Sequence, residues 1–138
     1  MLDVVHQLRR PTLLCLNFRV ERLTEHAIST ARLSTAAWCL RRARESGWRV
    51  VHAHNPAPRR RGRQSGVIEG LQPLRDEPVH LFLNQPPFDC SALWDAINEE
   101  HISRLYLIGV VHSRAGLAAI ASAHERRLNV TLIEDASL

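Results

Sequence analysis

The sequence predicts a single α/β domain built on a mostly parallel sheet with helices on both faces. Short apolar runs alternate with segments of helical periodicity, the pattern of repeated strand–helix–strand units. The runs are continuously apolar rather than alternating, which is what strands buried on both faces require. The chain has 138 residues, 45% hydrophobic and 23% charged, enough for one core and too short for two domains of ordinary size.

Taken in order, Pro11-Thr-Leu-Leu-Cys-Leu-Asn17 reads as the first buried strand. A helix is expected over His26–Ser46, with Thr24 as its N-cap and Gly47 just past its end. Its core face is expected to carry Ile28, Ala31, Thr35 and Trp38, with Leu33, Ala37 and Leu40 alongside. Arg49–His54 is a second strand, followed by a Pro-, Arg- and Gly-rich loop from Asn55 to Gly66. Pro78–Leu83 is a third strand and Pro86–Ser91 a turn, with Ser91 capping a helix that carries Leu93, Trp94 and Ile97. Arg104–Gly109 is the fourth strand. An Ala-rich helix from about Arg114 to Arg127 should turn Leu117, Ile120 and Ala121 inward, and Val130–Glu134 is the fifth strand. Sites in such sheets lie at the C-terminal ends of the strands. That rule singles out Asn17, Ala53–Asn55, Leu81–Asn84 and Gly109–Ala115.

Composition removes several chemistries. All 18 basic residues are arginine, so apart from the N-terminus no amine exists for Schiff-base or lysine-assisted catalysis. Cys15, Cys39 and Cys90 are widely spaced with no CxxC, which suggests neither a zinc knuckle nor a disulfide framework. The net charge of +4 concentrates in Arg59, Arg60, Arg61 and Arg63. No aromatic interleaves that cluster, so a solvated loop is expected ahead of nucleic-acid binding. No apolar run reaches bilayer length and the N-terminus has no signal-peptide pattern, so a cytoplasmic location is expected and no membrane contact.

The ordered segments resemble the isochorismatase-like hydrolases, which include nicotinamidases and N-carbamoyl amidohydrolases. The likeness rests on Leu13-Leu-Cys-Leu-Asn17-Phe18-Arg19, Gly47-Trp-Arg-Val-Val51 and Ile68-Glu-Gly-Leu71-Gln-Pro73-Leu-Arg-Asp-Glu77. It continues through Val79-His-Leu-Phe82 leading to Phe88-Asp-Cys-Ser91-Ala-Leu93, then Leu105-Tyr-Leu-Ile-Gly109-Val110, and finally Val130-Thr-Leu-Ile-Glu-Asp135-Ala136. The resemblance covers nearly the whole chain, 1–138, as one domain. It implies a three-layer α/β/α sandwich, Rossmann-like, with strand order 3-2-1-4-5. The family's sixth strand and final helix have no counterpart in this sequence.

Members of the family attack amides and related centres with a thiolate at a helix N-terminus, assisted by an Asp and a Lys. The helix dipole and its free N–H groups lower the thiol pKa and hold an oxyanion. Carried over motif by motif, the Asp position is Asn17, the Lys position Phe82 and the Cys position Ala115. Asn is no proton acceptor near neutral pH. The resemblance therefore implies a homologue without the ancestral chemistry, acting as a binding or oligomer-assembly module, alone or beside a partner subunit. Two alternatives stay open: a hydrolase of amides or esters using Ser113, His112 or Cys90, and nucleic-acid binding through Arg59–Arg63. The candidate ligand-binding residues are Asn17, His54, Phe82, Phe88, His112, Ser113 and Arg114, the last three forming a helix start suited to a small anion. His52-x-His54, with His80 on the next strand, is a poor copy of the Asp-x-His element of zinc-dependent nicotinamidases, so no metal and no cofactor is expected.

Overall fold

A computed structural model describes residues 11–23, 30–56, 66–82, 86–99, 104–111 and 114–138. Among these residues five strands run in order: β1 (Thr12–Leu16), β2 (Arg49–His54), β3 (Val79–Leu81), β4 (Leu105–Gly109) and β5 (Val130–Ser137). Four helices are described with them: α1 (Val20–Leu23), α2 (Thr30–Glu45), α3 (Ser91–Glu99) and α4 (Arg114–Glu125). A 3-10 turn, Pro87–Asp89, precedes α3. The strands form one sheet in the order β3-β2-β1-β4-β5, and every pairing is parallel. The fold class and strand order expected from the sequence are those of the structure.

Continuous burial explains the apolar runs. All five residues of β1 are buried, and β2 is buried from Val50 to His54. Side chains alternate between the two faces of the sheet. Leu14, Leu16, Val51, Ala53, Leu105 and Leu107 face the side covered by α3, α4 and the 3-10 turn, where they meet Phe82, Phe88, Leu93 and Ile97. Leu13, Cys15, Val50 and Ile108 face α2, where they meet Ala36, Leu40 and Ala43. Each fully buried Leu or Phe contributes roughly 1.5–3 kcal/mol of transfer free energy.

Several local expectations are corrected. The inward face of α2 carries Leu33, Ala36, Ala37, Leu40 and Ala43, whereas Ala31 and Trp38 are exposed, Trp38 by 54%. The stripe through Ala31 and Trp38 lies nearly opposite the buried one, whereas Leu33, Ala37 and Leu40, expected alongside it, do belong to the buried face. In α4 Ile120 packs against the core as expected, and Gly116, Ala119 and Ala123 are buried, but Leu117 is 62% exposed and Ala121 is exposed. Small residues face inward there because Gly116 sits against the Val111 backbone, leaving no room for a Cβ. Cys90, not Ser91, occupies the cap position of α3, its carbonyl accepting from the Trp94 N–H at 3.0 Å. The strand expected over Pro78–Leu83 is shorter, and β5 runs further than expected, to Ser137, through a bulge opposite Leu107–Gly109. Thr24 and the start of the helix expected from His26 lie outside the described residues.

Candidate functional site

The C-terminal ends of β1, β2 and β4 lie side by side. Leu16 is level with Ala53 and Gly109, and the chain turns just beyond. The Asn17 N–H donates to the Ala53 carbonyl at 2.8 Å, and the Val110 N–H donates to the Leu16 carbonyl at 2.9 Å. Gly109 has a φ of 128° and lies so close to the Leu16 backbone that a side chain would collide with it. Only glycine suits both demands.

Asn17 is 3% exposed and has a φ of 62°, a left-handed conformation that Asn tolerates better than most residues. Its Oδ1 accepts from the Asn55 N–H at 2.8 Å, tying the end of β1 to the loop after β2. Phe82 follows β3, its N–H donating to the His54 carbonyl at 3.0 Å. Its ring is 1% exposed and belongs to the apolar cluster on the α3–α4 side, together with Phe88. Ala115 is the second residue of α4, which starts at this same edge; only the backbone is described for Arg114 and Ala115. Among the sequence candidates, Asn17, His54 and Phe82 are thus brought to one edge of the sheet. His112 and Ser113 lie outside the described residues, as do Arg59–Arg63. Cys90 is half-buried, and its thiol donates to the Leu81 carbonyl at 3.7 Å.

His52 and His54 project to the α2 side with rings 6.1 Å apart and 14° from parallel. His80 is level with Ala53 and so faces the opposite side, which separates it from the pair. Among the described residues no group of three or more His, Cys, Asp or Glu is placed to hold a metal ion. His52 is fully buried, and its Nε2 is 2.9 Å from Glu77 Oε1. Glu77 also receives two hydrogen bonds from Arg44, at 2.8 and 2.7 Å, and one from the Leu74 N–H at 2.9 Å. Burial alone would raise the Glu77 carboxyl, but its bonds from Arg44, Leu74 and His52 outweigh that and hold it down at about 2. Burial lowers the basicity of His52, with Glu77 opposing. Cys15, level with His52 on β1, is fully buried, and burial pushes its thiol far up, making it a packing residue rather than a nucleophile.

His54 differs from His52 in having no such support. It is 1% exposed, and neither ring nitrogen has a hydrogen-bond partner among the described residues. An unsatisfied buried polar group costs about 1–3 kcal/mol. Burial, then the fields of His52 and Arg19, lower its pKa to about 4, with Glu21 opposing. Arg19 and Glu21 pair with each other at 2.8 Å, and Glu21 accepts from the Gly66 N–H at 3.0 Å. A bridge between Arg19 and Val67 and the bond from the Ile68 N–H to the Phe18 carbonyl complete this seam.

Sequence reading missed Glu77 and Arg44 as a pair. Glu77 was visible only as the end of a motif, and its separation of 33 residues from Arg44 follows no local rule.

No protein-family model matches the chain, and no curated protein matches it. Solved structures do. The chain is similar to a cysteine hydrolase from Pseudomonas syringae pv. phaseolicola, with a TM-score of 0.78 and 17% identity over 95% of this chain and 73% of that one. It is similar to an isochorismatase from Pseudomonas putida, with a TM-score of 0.72 and 22% identity over 94% and 71%. It is also similar to N-carbamoylsarcosine amidase from Thermoplasma acidophilum, with a TM-score of 0.67 and 18% identity over 93% and 83%. The chain has the isochorismatase-type hydrolase fold. Among the described residues no helix is long and apolar enough to cross a membrane.

Proposed function

We propose that this chain is a non-catalytic homologue on the isochorismatase hydrolase scaffold, working as a binding or assembly module. The observation that carries the reading is the state of the edge where the scaffold's chemistry would sit. Asn17 Oδ1 is engaged by the Asn55 N–H, Phe82 is packed into the core, and position 115 is alanine. General base, supporting cation and nucleophile are then absent from their places together. The bond from the Cys90 thiol to the Leu81 carbonyl supports a packing role for that cysteine over a rearranged nucleophile.

The reading is tested with the full chain against a panel of amides and esters, alongside Cys90→Ala and Ser113→Ala. The expected result is no turnover above buffer for any of the three proteins. Turnover by the parent that either substitution removes would overturn the proposal. Light scattering on the same preparation is expected to give a homo-oligomer; a clean monomer at high concentration removes the self-assembly half and leaves ligand or partner binding.

A further inference from the structure

The ring of His54 is enclosed at the end of β2 with two nitrogens that nothing among the described residues satisfies. Native interiors rarely leave such groups unpaired, so a missing partner is the first thing to look for. The chemistry of the surroundings narrows what that partner is.

A cation chelated by the histidine pair does not fit. Among the described residues no third His, Cys, Asp or Glu stands with the pair to complete a metal site. His52 Nε2 is moreover engaged by Glu77. A charged organic guest is equally unsuited. Among the described residues the charges acting on His54 are those of His52, Arg19 and Glu21, and Arg19 and Glu21 are paired with each other. A neutral imidazole presents one N–H donor and one bare nitrogen acceptor, in either tautomer.

We propose that His54 reads a small uncharged guest carrying both a hydrogen-bond acceptor and a donor, held at the C-terminal end of β2. The proposal rests on the binding reading above and gives it a ligand class. Asn17 fixes one side of the site, because its bond to the Asn55 N–H holds the chain on leaving β2. The seam from Phe18 to Glu21 and from Gly66 to Ile68 lies beside it, joined among the described residues by the Arg19–Val67 bridge and by hydrogen bonds. Opening that seam gives a guest access without disturbing the sheet.

The test follows the imidazole nitrogens of the uniformly 15N-labelled full chain near neutral pH while formamide, an uncharged donor–acceptor probe, is added. His54→Gln identifies the His54 resonances by their loss; should that variant fail to fold, His54→Asn serves the same purpose. The expected result is a saturable shift confined to His54, with a dissociation constant on the order of 1 mM, as befits so small a guest. His52 Nε2, bound to Glu77, should stay unmoved. A drift shared by all eight histidines, or a His54 ring satisfied by an internal water that formamide does not displace, overturns the proposal. Turnover in the substrate panel would instead sink the pseudoenzyme reading, so the two failures are told apart.

Discussion

On the α3–α4 side of the sheet, the buried cluster around Phe82, Phe88, Leu93 and Ile97 is made of apolar side chains alone. On the α2 side, His52 and His54 project from β2 toward the side of a similar apolar cluster, with Glu77 bonded to His52 and to Arg44. The first side is held chiefly by contact area, with His80, whose basicity burial lowers, as a titrating group at its β3 end. The second depends on which groups are charged and on whether each finds a partner. The edge that holds Asn17, His54 and Phe82 lies where these two regimes meet. There Phe82 extends the apolar regime into a position that the hydrolase resemblance assigns to a lysine.

Removing the anchor of the polar side gives the largest effect expected. Glu77→Gln takes the charge away from Arg44 and leaves His52 Nε2 beside an amide, at a cost of about 3 kcal/mol. Urea denaturation should show it as a lower midpoint at unchanged slope. The parent protein should also show the Glu77 contacts as acid lability. With its folded pKa depressed, the stabilisation is complete above the unfolded value of 4.5 and is lost as pH falls from there toward about 2. A Glu77→Gln protein as stable as the parent at neutral pH would mean that α2 packing alone holds the 71–77 segment.

His54 sharpens the contrast within the polar side, because it lacks the partner that His52 has. Its folded pKa of about 4 lies below the ordinary 6.5, so the neutral ring is favoured in the fold. The sign is the same as for Glu77, in a different window: stability is complete above pH 6.5 and falls as pH drops from 6.5 toward 4. The loss across that window should be roughly 2 kcal/mol, allowing for water reaching the ring. His54→Phe should flatten this part of the stability–pH curve and leave the lower Glu77 window in place. An unchanged curve in the variant would assign the loss to another group.

How much of this was legible in the sequence differs between the two sides. The strands of the apolar core announce themselves as uninterrupted runs such as Leu13–Leu16 and Leu105–Ile108, because two-sided burial forbids polar alternation. Asn17, His54 and Phe82 were legible as strand-end residues because a parallel sheet brings its C-terminal ends to one edge. The roles of those residues were not. That Asn17 gives its carbonyl oxygen to Asn55, and that His52 has Glu77 while His54 has no hydrogen-bond partner among the described residues, depends on distances between segments far apart in the chain. Periodicity was least informative on the helices. In α4 the demand of Gly116 for close approach to Val111 outranks the hydrophobicity of Leu117, and side-chain size is no guide to the buried face.

The same reasoning makes Trp38 the site of the smallest expected effect, despite its size. Trp is among the most buried residues on average, and a pattern reading places it in the core of α2. Two positions on, Leu40 is 1% exposed and packs with Ala36 and Ala43 against β1 and β2, whereas Trp38 leaves 54% of its surface in solvent. Trp38→Ser should therefore change stability by no more than about 0.5 kcal/mol at a surface position, measured by urea denaturation beside Leu40→Ala, which should cost several times that by opening a cavity under the helix. Near-neutrality in the first and a large loss in the second place the buried face on the small residues of α2. A large loss at Trp38 would show that its face is covered in solution, and would direct the search for an assembly contact to the outer surface of α2.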